Sequence, residues 1–299
     1  MDVTTVSLPP LRGSLAYHVS LAPYSWFRVG GPADLLFLPE DEDDLALFLK
    51  ALPTNIPLLI LGLGSNLLVR DGGFRGAAIK LGKGFQSIAI DKHQLVTVGA
   101  GAADVKVARA AAEAGVAGLA FLRGIPGTIG GALRMNGGAY GGETKDVFVS
   151  ARGLDRGGNV HRFDAAAMGF SYRHCAVPDG IIFTEAVFQG RKGDSAAILA
   201  EMNAITEARS TTQPVNTRTG GSTFRNPQGY KAWELVDRAG FRGFKKGGAE
   251  VSSLHTNFLI AHEGAKASDI ESLGEEIRSR VLEQSGILLE WEIKRVGEP

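Results

Sequence analysis

Eight glycines fall within nineteen residues of this chain: Gly124, Gly127, Gly130, Gly131, Gly137, Gly138, Gly141 and Gly142, in the run GIPGTIGGALRMNGGAYGG. Glycine loses more backbone entropy on ordering than any other residue, so such a run weakens any helix or strand built from it. A disordered linker would instead be rich in Ser, Pro or charge. This run carries Ile125, Ile129, Leu133, Met135 and Tyr140, which favour burial. The segment therefore reads as ordered backbone, stripped of side chains and packed against something large, flat or phosphorylated.

A second glycine cluster, Gly62-Leu63-Gly64-Ser65-Asn66-Leu67-Leu68, follows an apolar stretch at 57–61. Backbone N–H groups that turn toward one point make a phosphate nest. The dinucleotide fingerprint of doubly wound folds needs a third glycine where Leu67 stands, and no phosphate-loop GxxxxGK[ST] pattern occurs. From these residues alone, a nest and an ordinary turn both remain open.

Periodicity predicts strands at 34–38, 57–61, 67–69, 77–81, 88–90, 95–98, 147–154, 160–163, 180–189 and 287–296. It predicts helices at 40–52, 104–114, 195–209, 233–239 and 268–285. Asp104 is expected to cap the second helix. Ser268 and Glu271 are expected to form a capping box on the last, with Gly286 ending it. Helices and strands are mixed without a repeating βαβ unit, so an α+β fold in two domains is expected. Equal numbers of acidic and basic residues, 32 each, give no field to hold a nucleic acid. The single cysteine, Cys175, excludes an intramolecular disulfide and argues against a metal site; it reads as a small buried hydrophobe. No apolar run is long enough to span a bilayer, and Met1-Asp2-Val3 does not open a signal sequence. A cytoplasmic location without membrane insertion is expected.

Three further places carry possible chemistry. Tyr172-Arg173 offers a cation, whose ordinary reading is a surface arginine. Gly220-Gly221-Ser222 presents a serine on a glycine turn, but Phe224 breaks the G-x-S-x-G nucleophile pattern. In 287–296, Ile287, Leu289, Trp291 and Ile293 alternate with Glu290, Glu292 and Lys294, so Glu292 reads first as a solvated strand face.

Taken together and in order, these pieces resemble the UDP-N-acetylenolpyruvoylglucosamine reductase family. The resemblance is carried by Ser25 to Ala33, Gly62 to Leu68, Gly124 to Gly131, Met135 to Gly141, Tyr172-Arg173, Gly221 to Pro227 and Leu289 to Ile293, over nearly the whole chain. It implies an FAD-binding domain of the vanillyl-alcohol-oxidase (PCMH) type over 1–196. A smaller α+β substrate-binding domain would occupy 197–299, with its C-terminal strand returning to the active site. It implies non-covalent FAD, NADPH as reductant, and UDP-N-acetylglucosamine enolpyruvate as substrate of a monomer. No histidine or cysteine lies between Leu58 and Leu81 to attach a flavin.

By resemblance, Gly62, Gly64, Ser65, Asn66, Leu67, Gly124, Ile125, Pro126, Gly127, Thr128, Gly130, Gly131, Asn136, Gly138 and Ala139 contact the cofactor. Arg173 and Glu292 would stabilise the enolpyruvyl group, and Ser222 would donate the proton. Tyr172, Arg225 and Asn226 would contact substrate, with Lys245 and Lys246 as further cations for its diphosphate. The family usually has lysine where Arg225 stands. The chain is similar to the shorter class, which lacks an extra substrate-covering loop. A flavin oxidase of the same fold and a nucleotide-sugar-binding regulator are the competing expectations.

Overall fold

The computed structural model describes Val3 and residues 6–299. The chain separates into two units, each with its own hydrophobic core. One comprises the chain up to Tyr17, Leu35–Leu63 and Gly76–Ala208; the other comprises His18–Asp34, Gly64–Arg75 and Arg209–Pro299. The 62–68 glycine cluster is thus divided, with Gly62 in one unit and Gly64 in the other.

In the first unit the 88–189 region forms a five-stranded antiparallel sheet. Its order is Val160–Asp164, Phe148–Leu154, Ile182–Gln189, Leu95–Gly99, Ile88–Ile90. Inward positions such as Val96, Val98, Ala151, Ala186 and Phe188 are buried, as period-two alternation requires. Helix Glu42–Ala51 is capped by the Asp41 side chain, which accepts from Asp44 N–H, and it buries Leu45, Phe48 and Leu49. Helix Ser195–Thr212 buries Ile198, Met202 and Ile205 along one stripe. Leu58–Leu61 pairs in parallel with Phe74–Lys80.

The second unit holds an antiparallel sheet ordered Thr219–Ser222, Phe258–Ala261, Ala249–Val251, Lys245–Lys246. Its core is closed by helices Ala232–Arg238 and Ala267–Ser285. The latter buries Ile270, Leu273, Ile277 and Val281, the apolar face read from the sequence. Gly286 ends it in the left-handed conformation, at φ 71°.

Three local expectations are corrected. The Ser268–Glu271 capping box does not form. Asp71 takes that place, its carboxylate accepting from the N–H groups of Ala267 (2.8 Å) and Ser268 (3.0 Å), while Glu271 turns to Arg70 and Arg295. A distant carboxylate and two arginines outcompete the local pairing. Asp104 is not a cap but the first helical residue of Asp104–Glu113, with its side chain wholly buried. In the expected strand at 287–296, only Lys294–Val296 pairs regularly, in parallel with Leu67–Val69. Before it the chain is held by single bonds: Arg225 N–H to Glu290 O and Glu292 N–H to Thr223 O.

Candidate active site

In the first unit glycines of the two clusters pack closely against neighbouring side chains at three places. A Cβ on Gly62 would lie 2.8 Å from Thr128 Oγ1, one on Gly127 2.8 Å from Asp104 Oδ2, and one on Gly124 2.8 Å from both Ala139 and Tyr140. Real Cβ contacts are longer, so a side chain at any of these positions would make its neighbour shift, least cheaply at Gly124, which packs on the Ala139 Cβ and the Tyr140 ring. Lys80 Nζ donates to Gly62 O at 2.9 Å, and burial lowers the pKa of that ammonium. The N–H groups of Ile129 and Gly130 bond to Ala102 O and Ala100 O, which ties the short helix Ile129–Met135 to the chain after the 95–99 strand.

Beneath Gly127 sits Asp104, with neither carboxyl oxygen hydrogen-bonded to another side chain or carbonyl. Burial pushes its pKa well up, and only the Gly127 backbone opposes the shift. The carboxyl is thereby biased to its neutral form. A neutral carboxyl leaves the glycine segment packed on it without a fixed negative charge beneath.

The glycine run also builds the Arg173 turn. Asn136 lies in the left-handed region at φ 41°, a conformation asparagine tolerates better than most residues, and it is fully buried. Its Nδ2 donates to Glu143 Oε2 and Ser171 O, both at 3.1 Å, and its Oδ1 accepts from Lys145 N–H at 3.0 Å. Ser171 and His174 exchange backbone hydrogen bonds, which sets Tyr172 and Arg173 at the tip of a tight turn. Arg173 holds φ 54°, an unfavourable value for a residue with a side chain. Its guanidinium lies 3.4 Å from Gly138 O and 5.1 Å from the Tyr172 ring centre. Lys145, by its hydrogen bond, leads the groups that lower the pKa of Glu143; burial opposes them, and Arg173 adds to the lowering. Asn136 spends its side chain on protein groups, so what that side chain visibly does is hold this turn. Cys175 is buried, as expected, 3.7 Å from the Arg134 guanidinium.

In the second unit Ser222 ends the Thr219–Ser222 strand. Gly220 is required because a Cβ there would overlap the Phe27 ring, and Gly221 takes φ 75°. Asn257 then clamps the chain. Its carbonyl accepts from Thr223 N–H (2.7 Å), its Oδ1 from Phe224 N–H (3.0 Å), and its Nδ2 donates to Phe224 O (2.8 Å). Glu292 N–H donates to Thr223 O at 2.8 Å, so Ser222 and Glu292 lie on neighbouring chains one register step apart. Asn66 Nδ2 donates to Glu292 O at 3.1 Å, which makes the Asn66 end of the 62–68 cluster the other flank of Glu292. Glu292 is half-buried rather than on a solvated face. Gly64, at φ 71°, is fixed against the Tyr24 carbonyl, and Leu67 is buried beside Lys294.

The sequence-predicted substrate contacts separate here. Arg225 is half-buried, and its Nε is enclosed without a partner, a donor suited to an anion. Asn226 Oδ1 instead accepts from Ala232 N–H and helps start the helix Ala232–Arg238. Lys245 and Lys246 are paired with Glu250 and Glu276. Sequence reasoning missed Asn257, for which no local signal exists. It also missed Gly274, a glycine in mid-helix that was itself a signal of close approach. Among the described residues no group of three or more His, Cys, Asp or Glu is placed to hold a metal ion.

Comparison with known proteins agrees with this geometry. Residues 213–296 match the family model for the UDP-N-acetylenolpyruvoylglucosamine reductase C-terminal domain, and 33–164 match an FAD binding domain. The reductase of that name from Azorhizobium caulinodans is 61% identical over 98% of this chain and 95% of its own. That from Parvibaculum lavamentivorans is 59% identical over 97% and 93%. The chain belongs to the UDP-N-acetylenolpyruvoylglucosamine reductase family. The crystal structure of the Thermus caldophilus enzyme aligns with a TM-score of 0.81 at 33% identity, covering 96% of this chain and 99% of that one. A 6-hydroxy-D-nicotine oxidase from Arthrobacter nicotinovorans aligns at TM-score 0.51 and 16% identity, covering 96% of this chain and 64% of that one; it shares the fold alone. The fold is therefore α+β, with an FAD-binding domain of the vanillyl-alcohol-oxidase type and a second α+β domain.

Proposed function

We propose that this chain is an FAD-dependent reductase that converts UDP-N-acetylglucosamine enolpyruvate to UDP-N-acetylmuramate with NADPH, a step in peptidoglycan precursor synthesis. The observation that supports the reading is the Glu292 N–H to Thr223 O bond, which ties the segments carrying Ser222 and Glu292 together in a chain 61% identical to a named reductase. Bound FAD supplies the hydride that saturates the enolpyruvyl double bond.

The side chains then divide the remaining work. Arg173, held over Tyr172 and Gly138 O, offers a guanidinium to the substrate carboxylate, where negative charge grows as hydride arrives. Ser222 gives its proton to the neighbouring carbon, and Glu292 hydrogen-bonds to the same reacting group. Serine is a weak acid, so its use requires fixed placement against a strongly basic carbon. The clamp of Asn257 on Thr223 and Phe224 supports such fixation. Arg225, with its unpartnered Nε, takes the diphosphate, assisted by Asn226 and Tyr172.

The same reading assigns cofactor contact to Gly62, Gly64, Ser65, Asn66, Leu67, the 124–131 segment, Asn136, Gly138 and Ala139. At the level of function, 1–196 serves the cofactor and 197–299 the substrate. The same reading has the protein work as a cytoplasmic monomer. No helix among the described residues is long and apolar enough to cross a membrane.

Visible spectra recorded anaerobically test this. Flavin absorption should bleach with NADPH and return on adding the enolpyruvyl substrate. A protein that cannot take up FAD, or a reduced flavin indifferent to that substrate, overturns it.

A further inference from the structure

We infer that Trp291 is a positioning residue that sets Ser222 and Glu292 together, through a glycine notch in the helix Ala267–Ser285. The inference rests on the reading above that Ser222 and Glu292 act on the substrate.

The notch is at Gly274, a buried position facing the second core. A Cβ there would overlap the far edge of the Trp291 indole. Glycine costs about 1 kcal/mol relative to alanine inside a helix, so its presence here is accounted for by the ring it admits. The indole is fixed at its other points as well. Its Nε1 donates to Glu275 Oε1 at 2.8 Å, from the helical residue next to the notch. The Arg295 guanidinium lies 4.5 Å from its ring centre and bonds to Glu271 and Glu275 at 2.8 Å each. Arg278 Nε donates to Leu289 O at 2.8 Å, which anchors the chain two residues before the tryptophan.

The indole also meets Phe224, with ring centres 5.3 Å apart and the rings tilted, and residues 224 and 291 form a bridge between the two chain segments. Phe224 lies two residues after Ser222, and Trp291 directly precedes Glu292. One ring therefore touches both segments that carry the proposed chemistry and refers them to one helix. Displacing the indole moves Phe224 and the Glu292 backbone together. Misplacement of about 1 Å at a reacting centre can cost on the order of a hundredfold in rate.

The test is a rescue series in the FAD-loaded full chain: Gly274→Ala, Trp291→Phe and the double variant, with Ser222→Ala alongside. Flavin reduction by NADPH and its reoxidation by the enolpyruvyl substrate are followed separately. For Gly274→Ala, reduction should stay within about twofold of wild type while reoxidation falls about tenfold or more. Trp291→Phe alone should slow reoxidation by only about threefold, and its smaller ring should accept the new methyl group, so that the double variant reoxidises like Trp291→Phe and clearly faster than Gly274→Ala. Wild-type reoxidation in Gly274→Ala, or a double variant as slow as Gly274→Ala, overturns the inference. If Gly274→Ala does not retain flavin, Glu275→Leu carries the test by removing the Nε1 acceptor and leaving the notch intact. A selective fall in reoxidation then supports the inference, and wild-type reoxidation overturns it. Normal reoxidation in Ser222→Ala would instead sink the reading of the site on which the inference stands.

Discussion

The Arg173 turn and the Ser222–Glu292 pair are held in opposite ways. Arg173 is fixed by near neighbours: Asn136, Gly138, Ser171 and Tyr172 all lie within thirty-seven residues of it. Its backbone is strained, and buried hydrogen bonds offset the strain. The pair is relaxed and held from far away. Asn66 reaches Glu292 across 226 positions, and Thr223 meets Glu292, 69 residues further on, as one rung of a ladder. A strained cation on a local turn can adjust to an arriving carboxylate. A proton donor must wait in place, and a scaffold anchored at many distant points suits that task.

The largest expected effect tests the fixed side. Ser222→Ala should leave flavin reduction by NADPH unchanged and slow reoxidation by the enolpyruvyl substrate by about a hundredfold or more, the usual worth of a placed acid. Stopped-flow absorbance separates the two. Slowing of both steps alike would mean that Ser222 supports binding rather than proton transfer.

The local side breaks at Asn136. Replacing it with alanine removes two donated bonds and one accepted bond from a fully buried side chain and puts a poorer residue at φ 41°. A loss of about 2–4 kcal/mol is expected, since each buried group left unpaired costs about 1–3 kcal/mol. Thermal unfolding reads that loss. With Ser171 released, Arg173 loses its preset geometry, so the KM for the enolpyruvyl substrate should rise as well. A destabilised variant with unchanged KM would show that the turn holds itself.

These two regions also differed in how legible they were. The glycine run, with apolar residues between its glycines, announced ordered backbone, but nothing in its sequence linked Asn136 to the turn at Arg173. Alternation placed Leu289 and Ile293 inside, where they are. The partners of Glu292 were hidden, because no local pattern links Asn66 or Thr223 to a residue so distant. Glu271 was misread for the same reason: a capping box is a local rule, and it lost to arginines at 70 and 295. Asp104 shows the reverse failure. Its position at a helix start was legible, but the fold makes it the first helical residue and buries its side chain inside the molecule instead of leaving it at the cap.

Asp104→Asn sharpens the local half further. The carboxyl pKa is raised by burial, so the folded state holds a proton that the unfolded chain releases above about pH 4. Wild-type stability therefore falls as pH rises from there toward the folded pKa, whereas the amide has no such slope. The variant should be more stable at neutral pH by about 1–3 kcal/mol, with the difference vanishing near pH 4. Melting temperatures across that range decide it. A less stable variant at neutral pH would mean that the carboxylate is satisfied and ionised.

The smallest effect probes the distant scaffold. Glu271 accepts from Arg70 Nε (2.9 Å) and Nη2 (2.7 Å) and from Arg295 Nη1 (2.8 Å), and its side chain is 21% exposed. The Arg70 hydrogen bond leads the lowering of its pKa, burial opposes it, and the charges of Arg70 and Arg295 add to it. A carboxylate with a depressed folded pKa contributes stability that is full above its unfolded value, about 4.3, and is lost as pH falls through the folded one. Glu271→Gln keeps the shape but not the charge, so it should cost about 1 kcal/mol at pH 7 and converge with wild type in acid. Because Arg295 also stacks on Trp291, the loosened arginine should bring a slight slowing of flavin reoxidation in the same pH range. Equal melting temperatures at pH 7 would show that Arg295 is held by Glu275 alone, and that the scaffold around Glu292 has one anchor fewer than the hydrogen bonds suggest.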